Sequence, residues 1–263
     1  MPNHCRNCTQ ELTGRYCAAC GQKADTHRIT FSHFITHDIM HGTFHLEKGM
    51  LFTATQALIR PGKAALDYIA GKRVSYYNIF YFILILIGIN ILLTHYHNGI
   101  ALNLAPDKVI AAKTNAAGEK VNDILTHYGK ILIFIFIPFT ALNSYLVFRR
   151  KQLNYTEHFI ISGMLLLGLT LFITVYLVLS FLHFAGKPFN RLDITPQLLA
   201  YFLMAYISFG YFNAFRSSYS IVGFSYRMML FWILCIIEFL LFAYVILGIA
   251  TGWNGDAEIK YLL

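Results

Sequence analysis

Long apolar segments are the feature of this sequence that most constrains its fold. A helix needs about 20 apolar residues to cross the roughly 30 Å hydrocarbon core of a bilayer. Five segments approach that length, at 77–93, 131–148, 159–184, 198–215 and 228–250. Only 13% of the 263 residues are charged, about half the fraction usual in soluble domains. We therefore predict an all-α membrane protein with about five transmembrane helices, in contact with a lipid bilayer.

Positive charges beside these segments predict their orientation. Lys and Arg in short loops mark the cytosolic side of a membrane protein. Three clusters fall on one side if all five segments span, and their members are Arg60, Lys63, Lys72, Arg73, Arg149, Arg150, Lys151, Arg216 and Arg227. We expect a cytosolic N-terminus and an extracytoplasmic C-terminus. The net charge of +8 has the same source, so we expect no nucleic-acid partner.

Four cysteines near the N-terminus predict a metal site. They form two Cys-x2-Cys pairs, Cys5 with Cys8 and Cys17 with Cys20. This spacing favours metal over disulfides, because four thiolates can surround a tetrahedral zinc at about 2.3 Å per bond. We predict a zinc-ribbon over 1–24 with structural zinc, and Gly14 at its turn; other thiolate-bound metals are the alternative. Four protein ligands leave no open position for catalysis, so we expect a docking surface for a cytosolic protein.

Histidines recur every four residues between the cysteines and the first apolar segment. They are His33, His37, His41 and His45. Apolar residues recur on another face, which predicts an amphipathic helical segment at the membrane interface within 25–75. We chiefly expect interfacial histidines that form hydrogen bonds or contact lipid headgroups. The alternatives are a second metal ion, which imidazoles four residues apart on a helix could hold, and a pH-sensing role.

A basic motif precedes the first apolar segment. Pro61 favours the start of a helix, and Gly71 with the following cations favours its end. We interpret the cations chiefly as a topological anchor. Their alternative role is contact with anionic lipid headgroups, through Lys63, Lys72 and Arg73.

The order of these motifs resembles a known family. Cys-x2-Cys and Tyr-Cys-x2-Cys-Gly-Gln are followed by His37-Asp38-Ile39, by His45-Leu46-Glu47-Lys48-Gly49, and then by Arg60-Pro61-Gly62 and Gly71-Lys72-Arg73. This order is similar to an uncharacterised family of zinc-ribbon membrane proteins from Bacteroidetes-type bacteria, domain of unknown function 3667. The resemblance implies the architecture and a location in a bacterial inner membrane. It implies no activity.

Polar residues inside the apolar segments are candidates for function, because burying them in lipid is costly. Glu238 lies near the middle of the last segment, with Cys235 one turn before it. We expect it to be either a proton or cation site or a hydrogen-bond partner of a neighbouring helix; Asn90, Asn143 and Asn213 are weaker candidates. Small residues in the segments, such as Gly88, Gly168 and Gly210, favour close helix packing.

The sequence therefore predicts four parts: a zinc-ribbon at 1–24, His-rich interfacial helices at 25–75, a five-span domain at 76–252 and a tail at 253–263. It contains no recognisable catalytic motif. We expect a membrane adaptor or scaffold that the ribbon connects to a cytosolic partner. The alternatives are a transporter or lipid-handling protein that uses Glu238, and a metal-dependent membrane enzyme that uses the four histidines. Oligomeric state does not follow from the sequence.

Overall fold

The computed structural model describes residues 4–24, 28–30, 49–104, 116–182 and 196–253. Within these ranges the chain is helical, with no β-strand beyond two isolated bridges near the N-terminus. The helices are α1 Gly49–Ile59, α2 Pro61–Ile69, α3 Ile79–Leu104, α4 Ala116–Val147, α5 Tyr155–Ser180, α6 Pro196–Phe215 and α7 Ile221–Thr251. The four histidines predicted as a second metal site, at 33, 37, 41 and 45, lie outside the described residues, as does the tail beyond 253.

Four of the described helices are long and apolar enough to cross a membrane. These are α3, α5, α6 and α7, and they are compatible with the predicted membrane protein. The remaining predicted span, at 131–148, falls within α4, whose described apolar stretch Phe134–Val147 is shorter than a full span. The expected total of five therefore remains a prediction.

Helix α5 is the centre of the bundle and packs against α1, α2, α3, α4 and α6. A capping box starts it: the Asn154 side chain accepts from the Glu157 amide at 2.8 Å, and the Glu157 carboxylate accepts from the Asn154 amide at 2.7 Å. The N-terminal half of α5 is buried on all sides. A helix that is apolar all round suits this central position.

The two short helices form a helical hairpin, α1–α2, with Arg60 alone between them. Its open end lies at Tyr76, whose ring contacts Phe52 of α1 at 5.1 Å and Tyr68 of α2 at 6.0 Å between centroids. Its closed end, at Pro61, packs against Gly210 of α6. The hairpin is thus inserted between the longer helices.

Close packing against α5 and α6 holds this hairpin. The Tyr206 hydroxyl of α6 donates to the Ala57 carbonyl of α1 at 2.5 Å. A Cβ on Gly62 would lie 2.1 Å from the Gly210 carbonyl oxygen, and one on Gly168 would lie 1.7 Å from the Tyr206 hydroxyl. Gly168 is roughly 20 Å along α5 at 1.5 Å per residue, so the hairpin reaches well into the bundle. Of the glycines predicted to allow close packing, Gly88 has no neighbour within 4 Å of its Cβ position.

Helix α4 continues through Pro138, which removes one backbone hydrogen bond. The Thr140 hydroxyl donates to the Phe136 carbonyl at 2.7 Å. From α5, the Tyr155 hydroxyl donates to the Pro138 carbonyl at 3.2 Å. Hydroxyl groups on α4 and α5 therefore bond two carbonyls close to the proline.

Candidate metal centre and its docking on the helices

The N-terminal cysteine module, residues 4–24, is built from two copies of one turn. In the first copy the Cys5 amide donates to the Gln10 carbonyl at 2.8 Å; in the second, the Cys17 amide donates to the Gln22 carbonyl at the same distance. Each copy is closed by an isolated bridge, from His4 to Glu11 and from Tyr16 to Lys23. A shift of twelve residues thus relates the two Cys-x2-Cys turns.

The four thiols converge on one point. All Sγ atoms of Cys5, Cys8, Cys17 and Cys20 lie within 4.8 Å of one another. The Cys5 to Cys20 separation is 3.6 Å and the Cys8 to Cys17 separation is 3.5 Å. A tetrahedron with bonds of about 2.3 Å has edges of about 3.8 Å, so the donor set fits one metal ion. Cys5 and Cys17 are buried and Cys8 is exposed.

Left-handed backbone conformations close both turns. Thr9 has a φ of 63° and Gly21 a φ of 74°, and each follows the first cysteine of its pair by four residues. Glycine adopts this conformation without strain, whereas a β-branched threonine is an outlier there. Gly14, predicted at the turn, is not among the residues with positive φ. The sequence signal for Thr9 was its alignment with Gly21 in the second copy.

The module docks on the loop between α2 and α3. The buried Gln22 side chain accepts from the Val74 amide at 3.1 Å and from the Arg73 amide at 3.3 Å. The Asn7 side-chain oxygen accepts from the Ser75 hydroxyl at 3.3 Å. These contacts join both cysteine turns to the loop that leads into α3.

Asn7 also connects this loop to the metal ligands. Burial raises the pKa of the Cys20 thiol, but hydrogen bonds from the Gln22 backbone and the Asn7 side chain outweigh it and lower the pKa to about 7. Donors around a thiolate favour the deprotonated form that binds metal. Asn7 therefore contacts a metal ligand on one side and Ser75 on the other.

A second contact clamps the chain after the module to α5. The Arg28 guanidinium bonds both carboxylate oxygens of Glu157, at 2.8 Å and 2.7 Å, and the Gln152 carbonyl at 2.9 Å. The Glu157 side chain is only 5% exposed. The bond to Glu157 raises the pKa of Arg28. Next to it, the Asn154 side-chain amide donates to the Ile29 carbonyl at 3.0 Å, and Ile29 is buried in the core.

The cations predicted to contact lipid have separate surroundings. The Lys72 ammonium is 2.8 Å from the Asp67 carboxylate, which also pairs with Arg60 at 3.3 Å. Arg73 lies over the Tyr68 ring at 5.8 Å. Lys63 instead lines a cavity of about 480 Å³ with Lys151 and Arg216. Sequence reasoning used Lys151 and Arg216 only for orientation, because no local spacing connects them to Lys63.

Glu238 lies at a second cavity. Its carboxylate accepts from the Asn143 amide of α4 at 2.7 Å, and the same amide lies 3.5 Å from the Cys235 sulfur. The cavity, of about 430 Å³, is otherwise lined mostly by apolar and aromatic side chains from α4, α6 and α7, among them Phe139, Trp232 and Phe242. Of the weaker polar candidates, Asn213 accepts from the Lys63 amide at 2.9 Å. The Asn90 side-chain oxygen is buried with no partner among the described residues.

A family model matches part of this arrangement. Residues 47–89 match the family model described as Protein of unknown function (DUF3667). No curated protein and no solved structure matches the chain. The matched residues contain the α1–α2 hairpin, the loop that receives the cysteine module and the first turns of α3. This part of the chain is therefore similar to a domain of unknown function, and the match does not include the cysteines.

Proposed function

We propose that the chain is an adaptor or scaffold of a bacterial inner membrane, in which the cysteine module is a zinc-ribbon that holds structural zinc and presents its outer face to a cytosolic protein. The observation that carries this proposal is the docking of the module on the Arg73–Ser75 loop through Gln22 and Asn7. A docked head has a fixed orientation relative to the membrane helices, which suits a scaffold.

The ligand set supports a structural metal rather than a catalytic one. Four cysteine ligands close a tetrahedral zinc, whereas catalytic zinc keeps a position for water or substrate. Four converging thiolates suit zinc, which is the metal that we propose, and thiolate-bound iron is the alternative. Metal binding of this kind supplies folding energy to a small module.

The positions of the helix ends support a cytosolic head. The module and Arg28 lie at the start of α3 and the start of α5. Arg150, which follows α4, contacts Ser218 and Tyr219 just before α7. The cationic ends of α4, α6 and α7 therefore lie on the same side as the module. By the positive-inside rule this side is the cytosol, which supports an extracytoplasmic C-terminus if α4 and α7 span.

The outer face of the module is the surface that we propose for the partner. Tyr16 is 63% exposed, and Arg6 and Arg15 are exposed as well. Tyrosine and arginine are enriched where proteins bind one another. A photo-crosslinking residue at Tyr16 should capture one discrete protein in intact cells. The same label in a Cys5→Ser/Cys17→Ser chain should lose that product, since the face depends on metal. A labelled chain that is folded, zinc-loaded and gives no product in cells would contradict the adaptor.

Metal analysis separates this function from the histidine enzyme. The purified chain should contain about one zinc, as one closed four-thiolate site requires. A His37→Ala/His41→Ala variant should contain the same amount. If the variant loses a second metal that the wild type carries, a metal-dependent membrane enzyme becomes the better account.

A second candidate function is supported by the cavity at Glu238. A carboxylate held by Asn143 within an apolar cavity is the arrangement that a transporter or lipid-handling protein would use. Glu238→Gln keeps the size of the side chain and its hydrogen-bonding capacity. If Glu238 only packs the helices, this variant should match the wild type in melting temperature and in proton release on ligand addition. Proton release that depends on Glu238 would favour transport.

A further inference from the structure

We propose that the cavity formed by Lys63, Lys151 and Arg216 binds the phosphate of an anionic lipid headgroup. These cations come from three separate parts of the chain: α2, the α4–α5 loop and the turn after α6. They line one cavity of about 480 Å³. Convergence of this kind is not required for topology, because the positive-inside rule depends only on the side of the membrane.

These three cations have no acidic partner within the described part of the chain. Arg216 lies over the Phe212 ring at 5.5 Å, and the neighbouring Arg150 donates to the Ser218 carbonyl and lies over the Tyr219 ring at 4.9 Å; neither ring neutralises the charge. The nearest acid along α2, Asp67, pairs with Arg60 and Lys72. The described lining of the cavity contains no carboxylate. An anion is thus the missing complement of the charge.

Neutral groups in the cavity add hydrogen-bond donors. Asn213 lines the cavity, and its side-chain oxygen accepts from the Lys63 backbone amide at 2.9 Å; the NH2 group of the same side chain remains available as a donor. The Ser217 hydroxyl also lines the cavity. Burial lowers the pKa of the Lys151 amine, as expected for a cation that is partly removed from water without a counter-ion. A bound phosphate would supply the counter-ion.

The position of the cavity favours a lipid over a soluble phosphate. It lies at the end of α6, where a membrane helix meets the headgroup region, and Phe209 and Phe212 form its apolar wall. Phe209 is 44% exposed. An aromatic wall beside cations at this depth matches the glycerol and first acyl carbons of a lipid whose phosphate meets the cations.

The test is the affinity of the purified full chain, in neutral detergent, for short-chain phosphatidylglycerol, short-chain phosphatidylcholine and inorganic phosphate, followed by native mass spectrometry. Phosphatidylglycerol should bind more tightly than phosphatidylcholine. Each single change, Lys63→Gln, Lys151→Gln or Arg216→Gln, should weaken the binding of phosphatidylglycerol about fivefold, and the triple variant should weaken it about a hundredfold. These values follow from roughly 1 kcal/mol per cation near a membrane surface.

Matched variants keep the result interpretable. Arg149→Gln removes a charge from the same loop as Lys151, but Arg149 is not part of the cavity lining and bonds the Leu146 carbonyl; it should leave binding within twofold. Lys151→Arg retains the charge and should retain binding, which controls for misfolding. Equal loss in Arg149→Gln and Lys151→Gln would overturn the proposal, as would equal binding of the two lipids. Displacement of the lipid by inorganic phosphate at equal concentration would overturn the lipid source.

Discussion

Replacing Gly62 with alanine should separate α2 from α6 and destabilise the bundle. The added Cβ would lie 2.1 Å from the Gly210 carbonyl oxygen and 2.5 Å from the Ala214 amide nitrogen. Both are backbone atoms within α6, so no side-chain rotation can relieve the contact. Ordinary van der Waals contact begins at about 3.4 Å, so the two helices must move apart by about 1 Å.

The magnitude follows from the cost of overpacking. Extra carbon atoms in a packed core cost about 1–3 kcal/mol, and a clash with backbone belongs at the upper end. For a domain of this size about 3 kcal/mol lowers the melting temperature by roughly 6–12 °C. Size-exclusion chromatography of the detergent-solubilised protein after heating would measure the shift.

A glycine with free space around it supplies the control. Gly88 lies in α3 and has no atom within 4 Å of its Cβ position. Gly88→Ala should leave stability unchanged or raise it by about 0.5–1 kcal/mol, because alanine favours helix over glycine. If Gly62→Ala melts within about 1 °C of Gly88→Ala, the close packing of the hairpin against α6 is wrong.

Three further predictions concern the module, the Arg28 contact and the loop between α4 and α5. Thr9→Gly should raise zinc affinity about fivefold in a competitive chelator titration, because it removes roughly 1 kcal/mol of strain from the left-handed backbone conformation of Thr9. Gly21→Thr should lower zinc affinity. Equal affinities of the variants and the wild type would show that neither turn is strained. Arg28→Ala leaves the buried Glu157 carboxylate without its cationic partner, although the Asn154 backbone amide still donates to it. The loss would be about 3–5 kcal/mol for a fully buried pair, and screening of the 58% exposed Arg28 reduces it to about 1–3 kcal/mol. Adding Glu157→Gln should restore part of the melting temperature, and no effect of Arg28→Ala would contradict the clamp. Lys151→Met should be more thermostable than the wild type at pH 7 in neutral detergent, because burial lowers the pKa of Lys151 and its charged form therefore destabilises the folded state. The advantage of the variant should shrink as the pH rises from below the folded pKa towards the ordinary lysine pKa. A difference that does not depend on pH would refute the lowered pKa of Lys151.

The apolar helices and the metal ligands could be predicted because their signals are local. Segment length alone indicated the regions of α3, α5, α6 and α7. The Cys-x2-Cys spacing indicated the four converging thiols. In both cases the residues that act together lie close together in the sequence or repeat at a short interval.

The docking contacts could not be predicted, since they join distant parts of the chain. Gln22 meets Val74, and Arg28 meets Glu157. Neither pair has a periodicity or a spacing that would connect its members. The cavity with Lys63, Lys151 and Arg216 has the same character. The charge rule used these cations to predict the orientation but gave no information on which of them face one another.

The composition of the α1–α2 hairpin did not predict that it packs between the longer helices. Residues 49–69 are short for a membrane span, and the basic motif favoured an interfacial location. The glycines that allow its insertion, Gly62 and Gly210, are 148 residues apart in sequence, and each is explained only by the close approach of the other. The interfacial placement of the remaining histidine-rich part stays a prediction.

Hydrogen exchange of the loop that receives the module tests the central claim most directly. Amide exchange at 71–78 would be measured by mass spectrometry for the zinc-loaded full chain and for the same chain after chelation. Because Gln22 accepts from the Arg73 and Val74 amides, and the module depends on metal for its fold, zinc removal should speed exchange in this loop while α5 stays protected. Unchanged exchange in the loop, with zinc shown to be lost, would contradict the claim that the metal-bound head is fixed to the membrane helices.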